Sequence, residues 1–409
     1  DLHSFPTRRS SDLHIDVFIQ GPPGAGKTYT GAHLIVALLK KGKRIAVSSN
    51  SHKAINNLLR CVEETAEKQN FVVRGVKKGN ADEDNSALNG RMIVDVDDNG
   101  AALSSEGVVG GTAWLFAREE ADQRFDYLFV DEAGQVSLGH LVAMATCAKN
   151  IVLLGDQMQL GNPTQGVHPG RSGDSTLEYL LDNAATVPPD RGIFLPITWR
   201  MHPDLCAFIS EAIYDGRLRS HESCAKQRLV LGPDAHPALR PTGLVIVPVE
   251  HQGCSQKSGA EARVLSVLYR DLLRQHWIDR RGQRGVITQE DILVIAPYNM
   301  QSNLLQSILQ RGARVGTVDR FQGQEAAVTL ISMTTSSYAE VSRSIEFLLS
   351  RNRLNVALSR SRCLSVLLTS PQLLDLWVSR GSQIALVNTL IWARDCEPRR
   401  LDSADRASP

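Results

Sequence analysis

The chain lacks the marks of several common protein classes. No apolar run approaches the ~20 residues that span a bilayer. The longest, around Leu34 to Leu39 and Ile151 to Leu154, have the size of core elements, so a soluble protein of the cytoplasm with no membrane partner is expected. The seven cysteines include no C-x-x-C pair, and no histidine stands at metal-ligand spacing. That argues against a zinc site, an iron–sulfur cluster or a disulfide framework, and leaves buried thiols in a reducing compartment. Neither sign of charge dominates, since 45 Lys and Arg face 44 Asp and Glu for a formal net charge of +1. Without a global basic field, any nucleic-acid partner has to be held by a local groove. Residues 1–13 lack helical or strand periodicity, and no hydrophobic stretch follows Arg8-Arg9, which excludes a signal peptide. They are expected to be a non-native leader, with the natural start further upstream.

What is present is length and alternation. The 409 residues, 42% of them hydrophobic, are too many for one compact core and suit two domains. From Ile15 the order strand, loop, helix repeats, the pattern of a parallel sheet flanked by helices. Strands are expected at Ile15–Ile19, Arg44–Val47, Tyr127–Val130 and Ile151–Leu154. Between Glu63 and Gly100 the pattern dissolves into a polar stretch with Asp82, Glu83, Asp84, Asp95, Asp97 and Asp98, read as a surface insertion at about 63–105. The second half resumes with Leu244–Val249, a helix over Ala260–Trp277, Ile292–Ile295, a helix over Gln301–Gln310, Val315–Val318, Val328–Met333 and Leu364–Leu368. The expected domains are residues 14–190 and 191–390, followed by a tail at 391–409.

Between the first strand and the first helix stands Gly21-Pro22-Pro23-Gly24-Ala25-Gly26-Lys27-Thr28, with P-loop spacing. Backbone without side chains can curl around phosphate oxygens and aim N–H groups inward, while the following helix presents its positive end. Lys27 would neutralise the β- and γ-phosphates and Thr28 would hold Mg2+. At the end of the Tyr127–Val130 strand comes Asp131-Glu132-Ala133-Gly134-Gln135, where α/β ligands bind. Asp131 is the expected second magnesium residue and Glu132 the group that orients the attacking water. Another strand ends in Gly155-Asp156-Gln157-Met158-Gln159, and Gln159 is the expected γ-phosphate sensor. Taken singly, D-E after a strand is most often a helix cap and G-D-x-x-Q a turn; their order and position give them weight.

The same order extends through Trp199-Arg200-Met201-His202-Pro203, then Val318-Asp319 with Phe321-Gln322-Gly323 and Glu325, and finally Asn355-Val356-Ala357-Leu358-Ser359-Arg360. The set resembles the successive motifs of superfamily 1 helicases, above all the branch containing the nonsense-mediated-decay helicase and the Dna2 nuclease-helicase. The resemblance runs from about Gln20 to Pro371. It implies an α/β fold of two tandem RecA-like P-loop NTPase-type domains with parallel sheets. The activity it implies is an ATP- and Mg2+-dependent 5′-to-3′ helicase or translocase on single-stranded DNA, with RNA the other candidate strand. Arg200 and Arg360 match arginine fingers that would reach from the second domain to the γ-phosphate. Glu325 matches a residue linking the nucleotide and nucleic-acid sites. Ser49, Asn50, Thr112, Tyr298 and Thr317 match strand contacts; a core aromatic is an equal reading for Tyr298. The details also resemble bacterial proteins in which a nuclease precedes such a motor, and a monomer with an upstream nuclease domain is expected.

Three departures stand out. Thr198-Trp199 replaces the family's Gln-Tyr, the spacing after Ser49-Asn50 blurs which side chain meets the strand, and no adenine-reading glutamine motif precedes Ile15. Gln20 abuts the P-loop and is no substitute for it. The alternative from another class is a nucleotide-gated switch or binding module that hydrolyses ATP without unwinding.

Overall fold

The computed structural model describes residues 14–79, 86–162, 169–171, 173–182, 184–341 and 345–374. The expected leader at 1–13, Asp82, Glu83 and Asp84, the end of the second domain and the tail lie outside them. The chain divides into two compact units, Asp1–Pro196 and Ile197–Pro409.

The first unit is built on eight strands: β1 (His14–Gln20), β2 (Ile45–Ser48), β3 (Gly75–Lys78), β4 (Ile93–Val96), β5 (Val108–Gly110), β6 (Phe125–Val130), β7 (Ala148–Gly155) and β8 (Gly192–Phe194). They form one sheet in the order β4-β3-β5-β2-β6-β7-β1-β8, and every pairing is parallel. A parallel sheet covered by helices buries both faces, so its central strands read as continuous apolar runs. Ile45, Ala46, Val47, Phe129, Val130, Leu153 and Leu154 are all buried. Helix α1 (Lys27–Lys40) packs Gly31, Ala32, Ile35 and Val36 inward. Helix α2 (His52–Lys68) starts at Ser51, whose Oγ accepts from the Ala54 N–H at 3.2 Å. It buries Ile55, Leu58, Leu59, Val62 and Ala66 on one face, the spacing of an amphipathic helix. At Gly31 a Cβ would stand 2.5 Å from Leu154 Cδ1, so glycine lets α1 approach β7 without displacing that leucine side chain.

Two sequence expectations change here. The polar stretch after Glu63 supplies β3 and β4, which extend the sheet at one edge. Edge strands need little apolar signal, and Val94 is indeed exposed on β4. Its acids do specific work: Glu63, buried, accepts the Met92 and Ile93 N–H groups at 2.6 and 2.8 Å, and Asp95 accepts those of Leu88 and Asn89 at 2.8 and 2.7 Å. The unit also extends past residue 190, because β8 pairs with β1 through Phe18, Ile19 and Gln20.

The second unit opens with small pieces: β9 (Ile197–Thr198) with β10 (Arg219–Ser220), and a three-stranded sheet of β11 (Arg228–Val230), β13 (His276–Ile278) and β14 (Arg284–Val286). Its main sheet runs β12-β18-β17-β15-β16, from β12 (Gly243–Pro248), β15 (Ile292–Ile295), β16 (Arg314–Gly316), β17 (Ala326–Ser332) and β18 (Ser361–Thr369). All four pairings are parallel. The helix expected to reach Trp277 spans Gly259–Leu272, and His276–Ile278 turns instead into the antiparallel β11-β13-β14 sheet. Val318, expected as the end of a strand, lies in a 3-10 turn that follows Thr317.

Candidate functional site

Parallel strands place their carboxyl ends at one edge of a sheet, the edge where α/β ligands bind. In the first unit that edge collects the P-loop after β1, Asp156 after β7, Asp131 after β6, Ser49 and Asn50 after β2, and Thr112 after β5. In the sheet these strands are neighbours in the order β1-β7-β6-β2-β5. The nucleotide residues therefore occupy one stretch of the edge and the polar residues the next.

The P-loop has the conformation its sequence demands. Gly24 and Gly26 take φ of 75° and 83°, the left-handed region that residues with a Cβ disfavour. At Gly21 a Cβ would fall 1.9 Å from Lys27 Cγ, so only glycine lets the lysine fold back over the loop. Lys27 Nζ donates to the Gly21 carbonyl at 2.9 Å, and the Gly21 N–H donates to the Gly155 carbonyl at 3.0 Å, which fastens the loop to β7. Lys27→Ala is expected to weaken ATP binding about tenfold or more, the worth of a charged hydrogen bond to phosphate. Titration with a fluorescent ATP analogue reads it, and unchanged affinity would remove Lys27 from the phosphate site.

Asp131 is buried and its carboxyl is pushed up to about 7, by burial first and then by the charge of Glu132, with Lys27 pulling the other way. Glu132 sits at φ 50° and ψ 43°, a left-handed region that a non-glycine residue adopts at a cost and that functional sites often hold. Its N–H donates to Asp131 Oδ1 at 2.9 Å. A buried acid held up by a neighbouring carboxylate is relieved by a cation. Among the described residues no group of three or more His, Cys, Asp or Glu could hold one alone. Mg2+ fits such a site, because it takes one carboxylate and completes its shell with water and nucleotide phosphates. Thr28, in the first turn of α1, and Asp131 are the residues that would hold it.

Gln159 is buried, and its Nε2 donates to Asp156 Oδ2 at 2.9 Å, so its amide is aimed by the residue at the end of β7. Gln20, the last residue of β1, is a structural pin. Its amide donates to Asp156 Oδ1 and the Ala185 carbonyl at 3.2 and 3.0 Å and accepts the Val187 N–H at 2.7 Å.

Ser49, Asn50 and Thr112 line a cleft of about 530 Å³, together with Ser48, His52 and Trp114. The cleft and the nucleotide residues meet in the backbone, where the Asp131 N–H donates to the Ser48 carbonyl at 2.9 Å. Trp114 was not legible from the sequence. In Trp114-Leu115-Phe116 any of the three can be the core residue; the structure buries Leu115 and Phe116 and leaves the indole 78% exposed.

In the second unit Glu325 bridges two arginines. Its Oε2 accepts from Arg200 Nε at 2.6 Å and its Oε1 from Arg362 Nη2 at 2.7 Å. Burial acts to raise the Glu325 pKa, but the Arg200 and Arg362 charges outweigh it and hold the carboxyl below its ordinary range. Arg200 Nη1 also donates to the Ser359 carbonyl at 3.1 Å. Trp199, in the family's tyrosine position, stacks on His221 at 3.6 Å between ring centroids. Thr198 Oγ1 accepts the Arg200 N–H at 3.3 Å. Arg362 is absent from the sequence expectations, although it lies two residues past Arg360.

Two expected site residues are enclosed within the second unit. Arg360 is 1% exposed, its Nε donating to the Val356 carbonyl at 2.9 Å and its Nη1 to the Gln324 carbonyl at 3.2 Å. A guanidinium fixed this way braces the loop before Glu325. Arg360→Ala removes both of these bonds and the buried side chain that makes them, at roughly 1–3 kcal/mol, so a lowered thermal midpoint is expected. A variant that melts normally yet loses turnover would return Arg360 to the phosphate. Tyr298 is likewise buried, its ring 6.0 Å from that of Phe347, and packs as a core aromatic. Thr317 remains half-buried at the end of β16.

Two units with parallel sheets, the first with a P-loop and paired carboxylates at its sheet edge, define a P-loop NTPase of RecA-like build. Two family models, each described as an AAA domain, match residues 11–170 and 173–372. The chain is 26% identical over 406 residues to the DNA polymerase alpha-associated DNA helicase A of Schizosaccharomyces pombe, covering 84% of this chain and 59% of that protein. It is 28% identical over 372 residues to the DNA replication ATP-dependent helicase/nuclease dna2 of the same organism, covering 84% and 26%. With the ATP-dependent helicase NAM7 of Saccharomyces cerevisiae the identity is 28% over 401 residues, covering 87% and 40%. Over most of its length the chain is similar to these helicases, which match the resemblance to superfamily 1 and to the branch of the nonsense-mediated-decay helicase and Dna2. It spans between a quarter and three-fifths of the length of these relatives. Among the described residues no helix is long and apolar enough to cross a membrane.

Proposed function

We propose that this chain is an ATP-driven motor that moves 5′-to-3′ along a single strand of nucleic acid, DNA in the first place, and separates duplex as it goes. The observation that carries this reading is the shared sheet edge. The phosphate-binding loop and carboxylates lie at the ends of β1, β7 and β6, and the polar cleft at the ends of β2 and β5. The Asp131 to Ser48 hydrogen bond joins the two. A shift at the γ-phosphate side can then move the strand side by one backbone link.

In the hydrolytic step water attacks Pγ, the bond from Pγ to the β-bridging oxygen breaks, and the ADP oxygen leaves with the electron pair. Glu132 holds the attacking water and accepts its proton. Lys27 and the P-loop N–H groups hold the β- and γ-phosphates, Gln159 senses the γ-phosphate, and Arg200 balances the charge that builds on its oxygens. Thr28 and Asp131 would hold Mg2+, which would supply positive charge against the phosphate oxygens. Glu325 sets the orientation of Arg200. Ser49, Asn50, Thr112 and Thr317 touch the strand through hydroxyl and amide groups that release as readily as they bind. The motor acts as a monomer in the cytoplasm, within a protein that also carries a nuclease upstream; the helicase/nuclease names of two relatives support that last element.

The test is ATPase stimulation. Turnover is expected to rise with single-stranded homopolymers of any base, more for DNA than RNA. Strand affinity should fall only modestly with salt, because few phosphates are neutralised by lysine or arginine. No stimulation by either nucleic acid would favour a nucleotide-gated switch.

A further inference from the structure

The cleft beside the P-loop carries more than backbone contacts. Ser48 and Ser49, at the end of β2, are 0% and 4% exposed, and their hydroxyls have no hydrogen-bond partner among the described residues. Both line the cleft. A buried hydroxyl without a partner costs free energy, so two such groups on the wall of one polar cleft point to a ligand that supplies acceptors or donors there. The same cleft is lined by Trp114, two residues beyond Thr112, whose indole is 78% exposed. One exposed apolar residue is ordinary on a protein surface, but this one lines the same cleft as the serines. It is also held in place. The His140 ring lies 6.1 Å from it, centroid to centroid, at 63°. His140 is carried by the helix Leu138–Ala145, whose start is fixed by Ser137 Oγ accepting the His140 N–H at 3.3 Å. The His140 ring meets the indole at a steep angle rather than stacking flat upon it.

From these features we infer that Trp114 is a stacking platform for one base of the bound single strand. His140 sets the orientation of the indole, and the Ser48 and Ser49 hydroxyls meet the sugar-phosphate backbone of the same nucleotide. This rests on the proposed motor function and deepens it, because a stacked base gives the cleft a register, one nucleotide at a time, that hydroxyl contacts to a uniform backbone do not. Stacking is indifferent to base identity, since every base has a π-face, and the cleft therefore grips without reading sequence. The same face accepts bases of DNA and of RNA; sugar preference falls to the hydroxyls.

Anisotropy titrations with labelled oligothymidylate, oligouridylate and an abasic strand of equal length, each with the wild-type chain, Trp114→Ala and Trp114→Tyr, test the assignment. Trp114→Ala is expected to bind both base-bearing strands about tenfold more weakly, within the range measured for one base on an aromatic side chain. It should bind the abasic strand as the wild type does, and Trp114→Tyr should recover most of the loss. Equal weakening on base-bearing and abasic strands, or no weakening on either, would overturn the platform while leaving the motor reading in place. If the wild type bound no single strand at all, the motor reading itself would fall, and the platform with it. Because the indole is exposed, its replacement removes no core packing, and the abasic strand reports directly on whether the cleft is intact.

Discussion

Glu132→Gln is expected to bind ATP as the wild type does and to lose turnover on the order of a hundredfold or more, the contribution of a positioned general base. Glutamine keeps the shape and can still touch the attacking water, but it cannot take the proton. The left-handed backbone at Glu132 is kept, since the substitution leaves the main chain unchanged. Removal of the charge should also ease Asp131, which burial and Glu132 together push up to about 7. Magnesium and nucleotide affinity should therefore hold or improve. Pre-steady-state hydrolysis beside equilibrium ATP binding separates the two effects. Hydrolysis near the wild-type rate would remove Glu132 from the chemistry.

Arg200→Ala is expected to cost about a thousandfold in kcat, at the lower end of what an arginine finger supplies, with little change in ATP affinity. The charge matters most where the γ-phosphate oxygens gain electron density, so the loss belongs to the transition state. Some stability is lost as well, because the Ser359 carbonyl loses its donor at 3.1 Å, so kcat is compared on protein whose thermal midpoint shows it folded. Glu325 keeps its pairing with Arg362 at 2.7 Å, so Arg200→Ala leaves that carboxylate partnered. An affinity loss with kcat intact would show that Arg200 binds ground-state nucleotide and is no finger. The contrast with Arg360 is informative, because both arginines occupy motif positions that resemble fingers. Arg200 has 10% of its side chain exposed and an acid partner, whereas Arg360 is enclosed by backbone carbonyls of its own unit.

The P-loop was legible from sequence down to its conformation. Glycine at 24 and 26 permits the positive φ observed there, and the loop between an apolar strand and an amphipathic helix needs no long-range information. The central strands were legible for the same reason: Ile292–Ile295 and Tyr127–Val130 are short runs of apolar and aromatic residues, as strands covered by helices on both faces are. Edge elements carried less signal. β3 and β4 are four residues each, half solvated, and built from a stretch whose acids suggested a solvated surface. Only the folded chain shows Glu63 turned inward to hold the start of β4.

For the candidate site the division follows the same logic. Sequence alone determined which residue types stand at the ends of which strands, because local hydrophobic periodicity and turn chemistry decide where strands stop. The strand order came from tertiary structure. It brings the ends of β1, β7 and β6 beside those of β2 and β5, although the P-loop and Thr112 are far apart in the chain. It also decided which side chain of Trp114-Leu115-Phe116 faces the cleft, why Tyr298 and Arg360 are enclosed, and that Glu325 joins Arg200 to Arg362. Burial and ion pairing depend on what packs against a residue from elsewhere in the chain, and a linear pattern records only what lies next to it.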